Sequence, residues 1–154
     1  MRPPLVIKVP GTIPYSLTAN GRRSTHWRTI HRDAEDLKTR THYAALEAIG
    51  DPNDPYLCFQ HDPWPLAITY VVGWEKRRHL MDDDNVIAAM KNVRDTIASV
   101  LGVDDKHFLT NGLMQERDPE GKGYIGITII SSAAYVQVPR DWYERAVDAI
   151  GDVA

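Results

Sequence analysis

The chain has 154 residues, enough for one ordinary domain with a real core and too few for two. Hydrophobic residues make up 43% and charged residues 25%, which excludes a disordered or fibrous chain, and the single cysteine, Cys58, excludes an internal disulfide framework or a cysteine-built zinc site. The net charge of −3 argues, taken alone, against a nucleic-acid partner.

In chain order, Leu5 to Val9 reads as a short strand closed by Pro10-Gly11. A polar loop through Asn20-Gly21 leads into a helical pattern from about Thr29 to Ile49, where Ile30, Ala34, Leu37, Ala44, Ala45, Ala48 and Ile49 share a face and Gly50 is a stop. Residues 51–65, with Pro52, Pro55, Pro63 and Pro65, read as a loop holding a short extended piece at Tyr56 to Phe59. Leu66 to Trp74 is a strand and Asn85 to Leu101 a helix ending at Gly102. Phe108 to Gln115 and Tyr124 to Ile130 read as a hairpin joined through Asp118-Pro119-Glu120-Gly121, and Pro139 to Ile150 as a terminal helix. The expected fold is a single α+β domain over residues 1–154, a mixed sheet with helices packed on it and a helical tail at 139–154.

No apolar run approaches the length of a membrane span, and the start of the chain lacks the apolar core of a signal peptide, so a cytoplasmic protein is expected. Charge is unevenly spread. Asp82-Asp83-Asp84 and Asp104-Asp105 are tight clusters, and setting those five aside leaves 18 basic residues against 16 acidic ones. Arg22, Arg23, Arg28, Arg32, Lys38 and Arg40 lie in one stretch, and Lys76, Arg77 and Arg78 precede the first acidic cluster. A solvated helix face explains the first stretch as readily as a DNA contact does.

The segment between the acidic clusters is the most informative. On a wheel at 100° per residue with Asp84 at zero, Val86, Met90, Val93, Ile97 and Leu101 fall at about 180° to 260°, a core face, while Asp84, Ala88, Lys91 and Asp95 fall at about −20° to 40° on the opposite side. Asp82 and Asp84 project to one side if strand geometry persists into them. Such carboxylates suit a hard divalent ion, magnesium or manganese rather than zinc, because the ion removes their mutual repulsion. The competing reading makes Asp84 a helix cap with Asp83 aiding the dipole, but one acid suffices for that and this segment has five. A calcium-binding EF-hand loop is excluded, since Ile87 stands where it needs glycine and Val93 where it needs glutamate. Lys91 leans toward Asp84, or alternatively pairs with Asp95 one turn on.

The arrangement Asp82-x-Asp84-Asn85, a helix holding Lys91 and Asp95, then Gly102-Val103-Asp104-Asp105 resembles the signature of the RusA family of Holliday junction resolvases. Pro14, Ser16, Asn20, Arg22 and His26-Trp27 resemble the polar loop and basic helix that open many phage members, so the resemblance spans most of residues 5–130. It implies a homodimer making magnesium- or manganese-dependent cuts in four-way DNA junctions, with Asp82, Asp84 and Asp105 matching the catalytic aspartates and Lys91 the lysine important for activity. Two departures stand out. Lys91 lies six residues after Asn85, farther than in the best-known bacterial member, and the overall charge is acidic.

On this reading Lys91 stabilises transition-state charge. Arg22, Arg23, Lys76, Arg77 and Arg78 contact backbone phosphates. His26 helps hold the junction, while Trp27 is expected to pack on the domain. Geometry adds a constraint. Asp84 to Leu101 spans about 25 Å of helix and the next four residues return at most about 14 Å, which keeps Asp105 more than about 10 Å from Asp84 within one chain. Two such helices antiparallel across a two-fold axis bring each end to the other's start, so a composite site is expected; a helix ending near Ala98 would instead allow an internal one. The alternatives are a broader phage endonuclease acting on branched DNA, and a non-catalytic DNA-binding or regulatory protein that keeps the acids for structure. No glycine-rich phosphate loop supports a nucleotide-binding enzyme.

Overall fold

Leu66–Trp74 is apolar or small throughout, and all nine of its residues are buried, which makes it a central strand covered on both faces. The structure, a computed structural model, describes residues 4–51, 59, 65–75 and 80–131. The expected terminal helix at 139–150 and the basic run Lys76, Arg77 and Arg78 lie outside the described residues, as does the extended piece at Tyr56 to Phe59 apart from Phe59, which is buried.

The elements are β1 (Leu5–Pro10), α1 (Ala19–Ser24), α2 (Trp27–Ile49), β2 (Leu66–Trp74), α3 (Asp83–Leu101), β3 (Phe108–Arg117) and β4 (Tyr124–Ser131), with 3-10 turns at Tyr15–Leu17 and Asp105–His107. This is a small α+β domain with a mixed four-stranded sheet in the order β1-β4-β2-β3. β4 pairs antiparallel with both β1 and β2, and β3 runs parallel to β2.

The hairpin expected between β3 and β4 does not form, because β2 lies between them. The turn after β3 instead passes the end of β2, where the Asp118 N–H donates to the Trp74 carbonyl at 2.8 Å. Strand period and turn residues locate two strands and a turn but do not name their neighbours.

The polar loop expected at Asn20-Gly21 is a short helix, α1. Thr18 caps it, its hydroxyl accepting from the Gly21 N–H at 3.0 Å. α2 begins two residues earlier than its apolar pattern, at Trp27, and ends at Gly50 as expected.

Both long helices pack on the sheet through the positions the periodicity selects. Val86, Met90, Val93, Ile97 and Leu101 of α3 are buried with Leu37, Ala44 and Ala45 of α2, against Ile7, Ile68, Val72 and Ile127 of the sheet. Each large side chain so buried contributes about 1.5–3 kcal/mol. α3 runs its full expected length: Gly102, at φ 68°, closes it in a left-handed cap, with the Val103 N–H on the Ala98 carbonyl at 3.0 Å. Among the described residues no helix is long and apolar enough to cross a membrane.

Candidate functional site

The acidic residues sit at the two ends of α3, and their local bonding separates them into two kinds. Asp82 is the N-cap residue, in extended conformation at φ −61° and ψ 139°, yet its side chain makes no capping bond. Asp83 and Asp84 occupy the first helical turn. Strand geometry therefore stops at Asp82 rather than carrying through Asp84, so the side-by-side projection expected of a strand does not hold. Helix-dipole compensation remains for Asp83 and Asp84, but the capping role expected of Asp84 is absent.

Asp83 is occupied locally. Gln115 of β3 donates to its Oδ1 at 2.8 Å. The same amide donates to the Met81 carbonyl at 2.5 Å and accepts from the Met81 N–H at 3.0 Å and the Trp74 indole at 2.9 Å. Asp82 and Asp84 are exposed, and no donor or cation among the described residues engages their carboxylates.

The far end repeats this division. Asp104 caps the 3-10 turn, accepting from the Lys106 N–H at 3.0 Å, and that bond holds its carboxyl below the usual carboxylate range. Asp105 is exposed and meets no cation within 4 Å among the described residues. It is held by its main chain instead: Arg94 donates to the Asp105 carbonyl through Nη2 at 2.7 Å and Nε at 3.3 Å, and to the Phe108 carbonyl at 2.6 Å.

Arg94 lies ten residues beyond Asp84, about 15 Å along the helix. Asp105 is thus anchored well away from Asp82 and Asp84, and among the described residues no three His, Cys, Asp or Glu side chains are grouped to hold an ion. α3 is helical past Ala98, so the early helix end that would have allowed an internal site does not occur.

α1 brings basic residues from the start of the chain to the first acidic cluster. It packs against α3, and the side-chain Oδ1 of Asn85 accepts from the Asn20 N–H at 3.0 Å. Arg23 is exposed, and the Arg22 side chain donates to the Leu17 carbonyl at 3.3 Å; neither has an acidic partner among the described residues. Farther along, the basic stretch is largely paired: Arg32 with Asp33 at 3.1 Å, Lys38 with Glu35 at 3.0 Å and Arg40 with Asp36 at 2.9 Å, Arg40 donating also to the Pro10 and Thr12 carbonyls at 2.6 and 3.2 Å. Arg32 and Lys38 thus belong to a solvated, self-paired helix face, and Arg40 ties α2 to the chain after β1.

Lys91 is exposed, and the pair with Asp95 that was its alternative reading is absent among the described ion pairs. Trp27 corrects an expectation. It is 66% exposed rather than packed on the domain, with Arg28 stacked 5.4 Å from its ring. His26 caps α2 through Nδ1, 3.3 Å from the Arg28 N–H.

Gln115 and Arg94 carry the site's shape, and the sequence reading singled out neither. Arg94 left a faint signal, a cation at about 280° on the wheel, bordering the core arc. Gln115 left none, because its partners lie 34 and 41 residues away.

No protein-family model matches the chain. A stretch of 52 residues is 42% identical to an uncharacterized protein of Xylella fastidiosa (strain Temecula1 / ATCC 700964); it covers 34% of this chain and 33% of that protein. The chain is therefore aligned with about a third of the length of the curated relative it matches.

Proposed function

We propose that this protein is a RusA-type, metal-dependent endonuclease that cuts phosphodiester bonds in four-way or otherwise branched DNA, as a cytoplasmic homodimer. One observation carries the reading. Of the five clustered acids, the three that match the family's catalytic aspartates, Asp82, Asp84 and Asp105, are exposed and accept no N–H bond among the described residues, as is true of Asp95 on α3, while Asp83 and Asp104 each accept one; the Asp105 carboxyl lies against that of Asp104. Carboxylate oxygens of this kind fit a hard ion such as magnesium or manganese. Among the described residues the donor set of one chain falls short of three grouped ligands. Two antiparallel α3 helices make good the shortfall, with Asp82 and Asp84 from one copy and Asp105 from the other.

A bound ion supplies a polarised water and charge to balance the departing oxygen. The chain's own residues do the rest. Lys91 faces the phosphate undergoing attack and offsets its added negative charge. Arg22 and Arg23, carried to the acids by α1, grip backbone phosphates, with Lys76, Arg77 and Arg78 as further contacts, which makes binding salt-dependent. Water oxygen joins phosphorus, the bond to the 3′ oxygen breaks, and the proton ends on that oxygen.

Cleavage of a synthetic four-way junction with and without magnesium tests this. Wild type is expected to cut only with the ion, and Asp82→Asn to bind the junction without cutting it. Flap and duplex substrates separate junction resolution from broader branched-DNA cleavage. The lack of a three-acid group among the described residues of one chain favours a second reading, a non-catalytic DNA-binding protein; junction binding with no cleavage in magnesium or manganese would establish it.

A further inference from the structure

The amide of Gln115 spans the connection between β2 and α3. On one side it takes the indole N–H of Trp74, the last residue of β2. On the other it pairs with both the N–H and the carbonyl of Met81, as a neighbouring strand would, and then reaches Asp83. An amide has two acceptor lone pairs and two N–H groups, and all four are used.

We propose that Gln115 is a positioning residue for the acidic cluster. It fixes the chain one residue before Asp82 and occupies the middle carboxylate, so that the flanking pair, Asp82 and Asp84, is presented to a divalent ion. This rests on the metal-dependent reading above.

Ligand geometry explains why one amide matters. Ion–oxygen distances tolerate about 0.2 Å, so ligands on an unsupported helix start bind poorly. A residue that orients ligands without touching the ion typically changes affinity about 10- to 100-fold. Asp83 becomes distinguishable from its neighbours: it sits between two proposed ligands in sequence and is not one itself.

The test is manganese binding by the full-length protein, read from the paramagnetic resonance signal of free Mn2+, with thermal melts on the same samples. Gln115→Glu keeps both acceptor contacts but loses both donors and sets a carboxylate against Asp83; a loss of affinity of about tenfold or more is expected. Gln115→Asn, one methylene shorter, withdraws the amide without adding charge and should weaken binding in the same direction. Asp83→Ala should stay within about twofold of wild type, whereas Asp82→Asn should lose binding, as removal of a ligand does. Wild-type melting temperatures with weakened binding in the Gln115 variants separate positioning from general destabilisation. Wild-type affinity in both Gln115 variants overturns the inference and leaves the metal reading intact. So does an Asp83→Ala loss as deep as that of Asp82→Asn. A wild-type protein that binds no manganese overturns both.

Discussion

Arg94 holds Asp105 by its carbonyl rather than by its carboxylate, with Nη2 2.7 Å from the main-chain oxygen. The same guanidinium reaches the Phe108 carbonyl at 2.6 Å and the Thr110 hydroxyl at 3.4 Å, and lies 5.9 Å from the Phe108 ring centroid. One planar cation thereby pins the end of the return loop and the start of β3 to the middle of α3. Its charge is spent on main-chain oxygens, and the acid keeps its own.

Arg94→Ala is therefore expected to destabilise the fold by about 2 kcal/mol, since hydrogen bonds from a charged donor contribute roughly 1.5–3 kcal/mol each and exposure reduces that. Arg94→Lys should recover less than half, because a point charge cannot replace a fork bonded to several oxygens. Urea unfolding measures both. Arg94→Ala within about 0.5 kcal/mol of wild type would show that the clamp contributes nothing.

Much of this architecture is legible from residue order. Leu66–Trp74 emerges with the expected ends because an apolar run bounded by Pro65 and Glu75 has few other solutions. The core face of α3 follows from a period that only a helix satisfies. What stays hidden depends on partners distant in sequence. The position of β2 between β3 and β4 is set by long-range pairing, and a nine-residue strand buried throughout was the available clue to its central place. α1 hides in a polar segment, since its start is fixed by the Thr18 cap rather than by hydrophobic period. The acids show their residue type and spacing in the sequence, but not which are engaged: the division of Asp83 from Asp82 and Asp84 depends on Gln115, 32 residues beyond Asp83.

The turn that carries the chain past β2 should make stability depend on acid pH. Asp118 is 7% exposed and accepts from the N–H groups of Glu120 at 3.0 Å, Lys122 at 3.0 Å and Gly123 at 2.8 Å. Burial alone would push its carboxyl up, but the three N–H groups together with Lys8 outweigh burial and hold it below the ordinary value. A carboxyl with a lowered folded-state pKa stabilises the fold above its unfolded value, about 3.9, and that contribution fades as pH falls through the folded value. Asp118→Asn should accordingly be less stable than wild type at pH 7, with the gap narrowing as pH drops below about 4. Unfolding curves from pH 7 to pH 2 measure it, and a gap that stays constant or widens toward acid contradicts the role given to this carboxylate.

If the protein is the dimeric nuclease proposed above, mixing inactive proteins decides whether two copies share one cutting site. On α3, positions 84 and 95 are symmetric about a point between Ala88 and Lys91, and Ala88 is small enough for a second helix to approach within about 8–10 Å. An antiparallel crossing there sets Asp84 of one copy opposite the Arg94–Asp95 turn of the other, where the main chain of Asp105 is pinned. Asp82→Asn and Asp105→Asn each leave every site of their own homodimer with one acid missing. In a mixed dimer built across the two-fold axis, one site collects both lesions and the other collects neither. Random exchange in an equal mixture makes half the dimers mixed, so cleavage should return to about a quarter of the wild-type number of sites. If all three acids instead came from one chain, every site in the mixed dimer would carry one lesion and cleavage would stay at the level of the separate variants. A shift from inactivity to about a quarter on mixing thus reports where Asp105 acts, and mixing Asp82→Asn with Asp84→Asn, lesions on the same side, should restore nothing under the same exchange conditions if each ligand is indispensable, because every site of that mixed dimer then lacks one of the two.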